Sequence, residues 1–137
     1  MEAAVSAART ATLLLAGAAV QRFGTALEEE QEVLAGVADM AIDLFAMESS
    51  LERAKRSAAA GAPAASVHAD LAGMVVADRS LALEARSRSL APSLAGGDEA
   101  RTLVAGLRRL LRGEPVDRIG LGRRVAAAVT DRGGYPA

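Results

Sequence analysis

Clustered carboxylates are the side chains of this sequence that come closest to forming a site for a metal ion or an acid. The first cluster is Glu28, Glu29, Glu30 and Glu32. Neighbouring residues on a helix point in different directions, so these carboxylates cannot converge on one ion. Negative charge is favoured at the amino end of a helix. The cluster therefore predicts a solvated helix start.

A second carboxylate set has the spacing of a shared helix face. Glu32, Asp39 and Asp43 fall on one side of a helix. A di-metal carboxylate bundle would also need Glu-x-x-His pairs on facing helices, and His68 is the only histidine. The spacing instead predicts an interhelical salt bridge or a contact with another domain. Arg79, Arg86 and Arg88 are the candidate partners on the next helix.

The residue types needed for most other chemistry are missing or badly placed. The sequence has no cysteine, which excludes disulfides, thiol catalysis and thiolate metal sites. No serine nucleophile or carboxylate lies at a motif spacing from His68, which predicts a surface or boundary histidine near a helix start. Gly17 and Gly24 lack the preceding strand and following Gly-Lys-Ser/Thr of a phosphate loop. We therefore predict no catalytic, cofactor-binding or metal-binding residue in this chain.

The charge distribution argues against a nucleic-acid partner. The net charge is -1, although the last third is rich in arginine. Acidic residues dilute that third, and Tyr135 is its only aromatic residue that could stack on a base. Residues 28–52 are acidic, so we expect this segment to pack against the basic last third.

Helical periodicity runs through the whole chain. Apolar residues recur every three or four positions at Val33, Val37, Met40, Leu44, Met47 and Leu51. No period-two strand pattern occurs. The sequence therefore predicts one all-α domain over residues 1–137, a bundle of four long helices plus a short C-terminal helix. Their expected bounds are about 3–23, 27–57, 63–91, 98–112 and 117–131.

Residues that begin or end helices mark these bounds. Thr25 is the expected cap of the second helix, and Pro63 suits the first position of the third. Asp98 and Asp117 are the expected caps of the last two helices. Gly133 is the expected end of the fifth.

The apolar run of residues 11–20 needs a separate interpretation, because it has the outline of a secretory signal. The acidic Glu2 and the polar Thr10 and Thr12 disfavour that interpretation. Ten apolar residues also fall short of the roughly 20 that span a membrane. We predict a core helix and a cytoplasmic protein.

Several segments resemble one known family. Gln31-Glu32-Val33-Leu34, residues 38–47, Arg53-Ala54 and Arg56-Ser57 resemble the extra C-terminal helical region of very-long-chain-type acyl-CoA dehydrogenases. Gly61-Ala62-Pro63 with His68-Ala69-Asp70-Leu71 resembles the loop and next helix of that region. Residues 115–126 resemble its closing segment in bacterial members. The resemblance covers roughly residues 17–134.

The resemblance implies a part in an enzyme whose reaction centre is elsewhere. The family oxidises acyl-CoA thioesters to trans-2-enoyl-CoA on FAD, with a glutamate as base. Its flavin site and base lie in a core region before the matched segment, so no such residue is carried over here and no cofactor is expected on this chain alone. The implied partner is the catalytic core, with membrane attachment in some members.

A free-standing helical module that self-assembles is the alternative. In either case one apolar helix face would be an unpartnered interface in the isolated chain. The Met40-Leu44-Met47-Leu51 line and the Leu13-Leu14-Leu15 line are the two candidates. A two-fold dimer could bury the same line between identical copies.

Overall fold

The computed structural model describes residues 1–135, and within that range all regular structure is helical. The elements are α1 (Glu2–Phe23), a 3₁₀ turn (Gly24–Glu29), α2 (Gln31–Ala59), α3 (Ala65–Leu94), α4 (Gly97–Leu110) and α5 (Arg118–Arg132). The predicted all-α class is therefore confirmed.

The central element is α3, which packs against each of the other four helices. Apolar side chains from α1, α2, α3 and α4 form one core, whose largest fully buried members are Leu15, Met40, Met47, Leu83 and Leu107. Helix α5 contributes no buried residue and lies against α3 from outside. The core is built from aliphatic and Met side chains, as a chain with 2% aromatic residues requires.

Helices α2 and α3 approach each other closely at Gly36. A β-carbon added to Gly36 would lie 2.6 Å from Cδ2 of Leu90, so the leucine side chain occupies the space that a larger residue would need. This contact belongs to the most extensive helix pair of the bundle. The pair positions the ionic groups described below.

The beginning of α2 differs from the prediction. The segment Gly24–Glu29 forms a 3₁₀ turn, and α2 begins only at Gln31. Gly24 has a φ of 55°, which reverses the chain direction after α1, and Leu27 packs partly buried against the core. Thr25 makes no capping bond to α2, whose N-cap residue is Glu30. The three glutamates at 28–30 therefore precede the helix.

The bounds of α3 differ from the expected 63–91. Pro63 precedes α3, which begins at Ala65 and not at the proline, and Pro92 lies inside α3, which ends at Leu94. A proline removes one backbone bond and usually breaks a helix, but here only the last turn follows it. Ala91 and Leu94 are buried in that turn. Their burial keeps the turn helical until Ala95 becomes extended.

Of the caps predicted for the last two helices, the cap of α4 is wrong and the cap of α5 is confirmed. Helix α4 begins at Gly97 with Gly96 as N-cap, and Asp98 lies in the first turn without capping it. Asp117 caps α5, because its Oδ1 accepts a hydrogen bond from the Gly120 amide at 2.9 Å. Gly133 ends α5 with a left-handed φ of 70°. These two predictions for α5 are confirmed.

Replacing Asp117 with alanine should loosen the first turn of α5. An N-cap of this type contributes about 1 kcal/mol, and α5 has no buried residue to compensate for its loss. Amide hydrogen exchange of residues 118–121 should accelerate about five-fold. Asp131→Ala is the control, since a carboxylate near the carboxyl end of a helix is unfavourable and its removal should not accelerate exchange. Equal exchange in the Asp117 variant and the unaltered chain would contradict the capping role.

Candidate functional site

A buried carboxylate, Asp43, lies at the contact between α2 and α3. Only 2% of the residue is exposed. Arg86 Nη1 donates to Asp43 Oδ2 at 2.6 Å, and Arg79 Nη1 donates to Asp43 Oδ1 at 3.2 Å. Both oxygens are therefore engaged by guanidinium groups, which satisfies a charge that would otherwise be costly to bury.

Arg86 also holds a second carboxylate of α2. Its Nε donates to Asp39 Oδ2 at 3.3 Å, so Arg86 bridges two acids that are one helical turn apart. Arg88 pairs with Glu84 of its own helix instead, and Glu32 is exposed. The predicted interhelical salt bridge is confirmed for Asp39 and Asp43. Glu32 forms no such bridge among residues 1–135, and its contact with another domain stays a prediction; of the three candidate partners, Arg88 takes no part. The arrangement fixes α2 on α3 and engages both carboxylate oxygens of the buried Asp43 with cationic donors.

His68 is buried, contrary to the predicted surface or boundary position. It is 6% exposed, in the first turn of α3. Its Nδ1 lies 2.8 Å from Ser57 Oγ at the end of α2, and its Nε2 has no hydrogen-bond partner among residues 1–135. The Tyr135 ring centroid is 6.4 Å from the imidazole. No residue spacing in the sequence indicated the contact between His68 and Ser57. The contact depends on the conformation of the loop at 60–64, which brings the beginning of α3 next to the end of α2.

The expected packing of the acidic segment against the basic last third is wrong. Within residues 1–135, α2 makes no close approach to α4 or α5, because α3 lies between them. The acids of α2 pair with α1 and α3, through Arg9 and Arg86 for example. The arginines of α5 pair with α3 instead.

Two ion pairs hold α5 on α3. Arg124 Nε and Nη2 donate to the two carboxylate oxygens of Asp70 at 2.9 and 2.8 Å, and Arg118 pairs with Asp78. The hydrogen bonds from Arg124 hold the pKa of the Asp70 carboxyl below its usual value, although partial burial acts in the opposite direction. The attraction is mutual, and the same bonds raise the pKa of Arg124.

The lowered pKa of Asp70 predicts a pH-dependent contribution to stability. A carboxyl whose pKa is lower in the folded chain stabilises it above the unfolded value of about 3.9. The contribution is lost as the pH falls through the lower, folded-state pKa. Asp70→Asn should therefore lower the free energy of unfolding at pH 7, and this difference should vanish in strong acid.

Urea unfolding at neutral and strongly acidic pH measures this effect. The control is Asp98→Asn, which alters an exposed carboxylate paired within α4 to Arg101 and should produce no comparable difference at either pH. A deficit in the Asp70 variant that is the same at both pH values would contradict the assignment.

One face of the α1–α2 pair carries large apolar side chains that nothing in the described chain covers. We define the outer face as Leu13 and Val20 of α1 together with Leu34, Ile42 and Phe45 of α2. Phe45 is 71% exposed, Leu13 66% and Ile42 63%. Of the two lines expected to be unpartnered, Met40-Leu44-Met47-Leu51 forms part of the core, whereas Leu13 and Leu14 are exposed and Leu15 is buried.

Comparison with known proteins identifies this arrangement. Residues 7–109, three quarters of the chain, match the family described as "Acyl-CoA dehydrogenase, C-terminal domain". The chain belongs to that family. The matched range contains most of α1, all of α2 and α3 and most of α4, and therefore the entire Asp43 ion cluster and the outer face.

Two relatives show how this acyl-CoA dehydrogenase C-terminal domain occurs elsewhere. A probable acyl-CoA dehydrogenase of Bacillus subtilis (strain 168) is 32% identical over 132 residues, which are 96% of this chain and 22% of the relative. The crystal structure of an acyl-CoA dehydrogenase complexed with FAD from Bacillus anthracis superposes with a TM-score of 0.94 at 27% identity. That match covers 99% of this chain and 24% of the other. The chain thus spans about a quarter of the length of these relatives.

One open surface groove between α1 and α2 does not fit a flavin. The groove, of about 380 Å³, is lined by Phe45 and by charged residues of both helices. Those charges neutralise each other, as Arg9 does with Glu48 and Glu2 with Lys55, so they offer no free donor to a pyrophosphate. Among the described residues no three acidic or histidine side chains gather as a metal site would require. The predicted lack of cofactor and catalytic residues on this chain stays a prediction.

The first helix is long and apolar enough to cross a membrane, which the ten-residue run alone did not suggest. The continuous helical segment Glu2–Glu29 has a mean hydropathy of 1.5 over its best 18 residues, a third of which are buried. Five apolar residues of α1 belong to the core, among them Ala11 and Leu15 at 0% exposure. A core helix of a helical bundle passes the same test of length and composition, and these buried positions favour that interpretation.

Proposed function

We propose that this chain is the non-catalytic C-terminal domain of a very-long-chain-type acyl-CoA dehydrogenase of fatty-acid β-oxidation. In this role it packs on the catalytic body and supports its assembly. The observation that carries the proposal is the match of 99% of the chain to one quarter of an FAD-containing acyl-CoA dehydrogenase, at a TM-score of 0.94. A fold retained so closely at 27% identity indicates that the same packing requirements act on both sequences.

The separate roles of this domain and of the rest of the enzyme follow from the residues that the domain contains. In the whole enzyme a bound FAD would supply hydride acceptance, and a glutamate base would take the α-proton, so that an acyl-CoA thioester would become the trans-2-enoyl-CoA. The described residues of this domain contribute packing instead, since their buried carboxylate Asp43 is saturated by Arg79 and Arg86. We assign the flavin and the base to the remaining three quarters of a relative's length. We place the assembled enzyme in the cytoplasm.

The proposal is tested by purifying the protein from its own host through a tag on its chromosomal gene. The purified material should transfer electrons from a long-chain acyl-CoA to an artificial acceptor. The flavin-containing part should be present either on the same polypeptide, about four times the 14.0 kDa of this chain, or as a stoichiometric partner. The recombinant 137-residue chain should show no such activity under identical conditions. Native material without dehydrogenase activity on acyl-CoA thioesters of any length would refute the proposal.

A further inference from the structure

The outer face is distinguished from ordinary surface by its lack of charge. Between Glu32 and Glu48 the only charged residues of α2 are Asp39 and Asp43, and both are ion-paired to α3. From residue 34 to residue 45, over about 17 Å of helix, the exposed side chains of α2 are therefore apolar except for Asp39, which is ion-paired to Arg86 at the α3 side. Helix α1 has no charged residue between Arg9 and Arg22.

The uncharged stretches of the two helices lie side by side. Arg9 pairs with Glu48 and Glu2 pairs with Lys55, so α1 and α2 are antiparallel. In this register Leu13 of α1 lies at the same height along the helix pair as Leu44 of α2, and Val20 lies at the same height as Val37. Phe45 also lines a groove together with Val5 and Arg9 of α1, which places exposed apolar residues of α2 on the side of the pair that faces α1.

Such a surface is unusual for a domain that functions alone. Isolated exposed leucines are normal, whereas a contiguous apolar patch with a polar rim marks an interaction site. The rim here includes the Arg9–Glu48 pair at one end and the glutamates of the 3₁₀ turn at the other. Phe45, an aromatic side chain of the type that often dominates binding energy, is the most exposed of the large apolar residues.

We propose that the outer face is the surface on which the catalytic body of an acyl-CoA dehydrogenase docks, with Phe45 as its main anchor. This inference rests on the function proposed above. The occupant follows from length, because the matched relatives continue for about three quarters of their chains beyond this domain. That large remainder must contact the domain on a surface that α3, α4 and α5 do not already cover. The outer face meets this condition, and between residues 34 and 45 the only charged residues of its α2 part are the ion-paired Asp39 and Asp43.

Hydroxyl-radical footprinting tests this docking without altering the protein. Side-chain oxidation is measured by mass spectrometry in the native, tagged material and in the recombinant chain alone. Oxidation of Phe45 and Leu13 should be at least about five-fold slower in the native material, because residues at the centre of an interface are desolvated. Ile119 of α5 is 69% exposed, lies outside the outer face, and should react at equal rates in both samples.

A pair of variants in the host gene sharpens the result. Phe45→Lys places a charge at the centre of the outer face without altering the core, so oxidation of Ile42 in native material should rise to the rate seen in the isolated chain. Ile119→Lys introduces the same charge at a similarly exposed position and should leave Ile42 protected. Protection of Ile42 that persists in both variants would overturn the role of Phe45.

The other outcomes separate the two proposals. Native material that contains flavin but oxidises Phe45 as fast as the isolated chain does would overturn the docking surface and leave the proposed function intact. Native material without flavin would overturn both. If Phe45 becomes protected in the isolated chain as concentration rises, together with a doubled mass in sedimentation, a second copy is the occupant and the inference is wrong.

Discussion

Replacing Arg86 with methionine should destabilise the isolated chain by about 3 kcal/mol, the cost of removing one partner from a buried ion pair. Arg86 provides the shortest hydrogen bond to Asp43 and also bridges to Asp39. Without it, the carboxylate of Asp43, 2% exposed, keeps only Arg79 at 3.2 Å. Methionine retains the aliphatic contacts of the arginine stem, so the loss should report the missing charge.

Urea unfolding followed by circular dichroism measures this loss. The matched control is Arg88→Met, two residues along the same helix, where the arginine pairs only with Glu84 of its own turn. That variant should change the free energy of unfolding by less than about 0.5 kcal/mol. Equal losses in the two variants would show that the cluster does not hold α2 on α3.

Met47→Ala should cost about 3 kcal/mol, within the range for truncating a buried methionine. The side chain is fully buried in the core, at 0% exposure, two residues after the most exposed large side chain of α2. The alanine leaves a cavity that the packed helices cannot fill without moving. Thermal and urea unfolding should both show the loss.

Phe45→Ala is the matched control and should leave the stability of the isolated chain within about 0.5 kcal/mol of the original. Phe45 is a larger side chain than Met47. If the loss of stability depended only on the size of the side chain removed, Phe45→Ala would therefore be more destabilising than Met47→Ala. If Phe45→Ala proved the more destabilising variant in the monomer, the orientation of α2 described above would be wrong.

The sequence predicts the helices better than it predicts their ends. Spacings of three and four residues identify α2, because its burial against α3 imposes that period, whereas α5, which has no buried residue, is marked by Asp117 and Gly133 at its ends. The ends depend on weaker, local effects. The glutamates at 28–30 suit a helix start, yet the reversal at Gly24 places them in a 3₁₀ turn instead. Pro92 is tolerated because tertiary burial of Leu94 outweighs its local preference.

Periodicity placed Met47 on one apolar line of α2 and Phe45 off it, but could not decide whether that line is the core or an unpartnered face. In residues 38–47 apolar side chains occur all around the helix, so Phe45 and Met47 are equivalent by composition. The buried ion pairs distinguish them, since Asp39 and Asp43 must face the arginines of α3 and thereby turn Phe45 outward. The spacing of these acids did indicate an interhelical bridge. No pattern in the sequence indicates the contact between His68 and Ser57, because the two residues lie on different helices and are brought together by the loop that connects them.

The flavin content of the native protein, measured per copy of this chain, tests most directly whether the domain serves a larger flavoenzyme. Material purified from the host should contain about one flavin for each copy, by visible absorbance after denaturation. The 137-residue chain produced by itself and incubated with FAD should retain none after gel filtration. Native material free of flavin, or an isolated chain that keeps it in equal amount, would contradict the assignment of the reaction centre to another part of the enzyme.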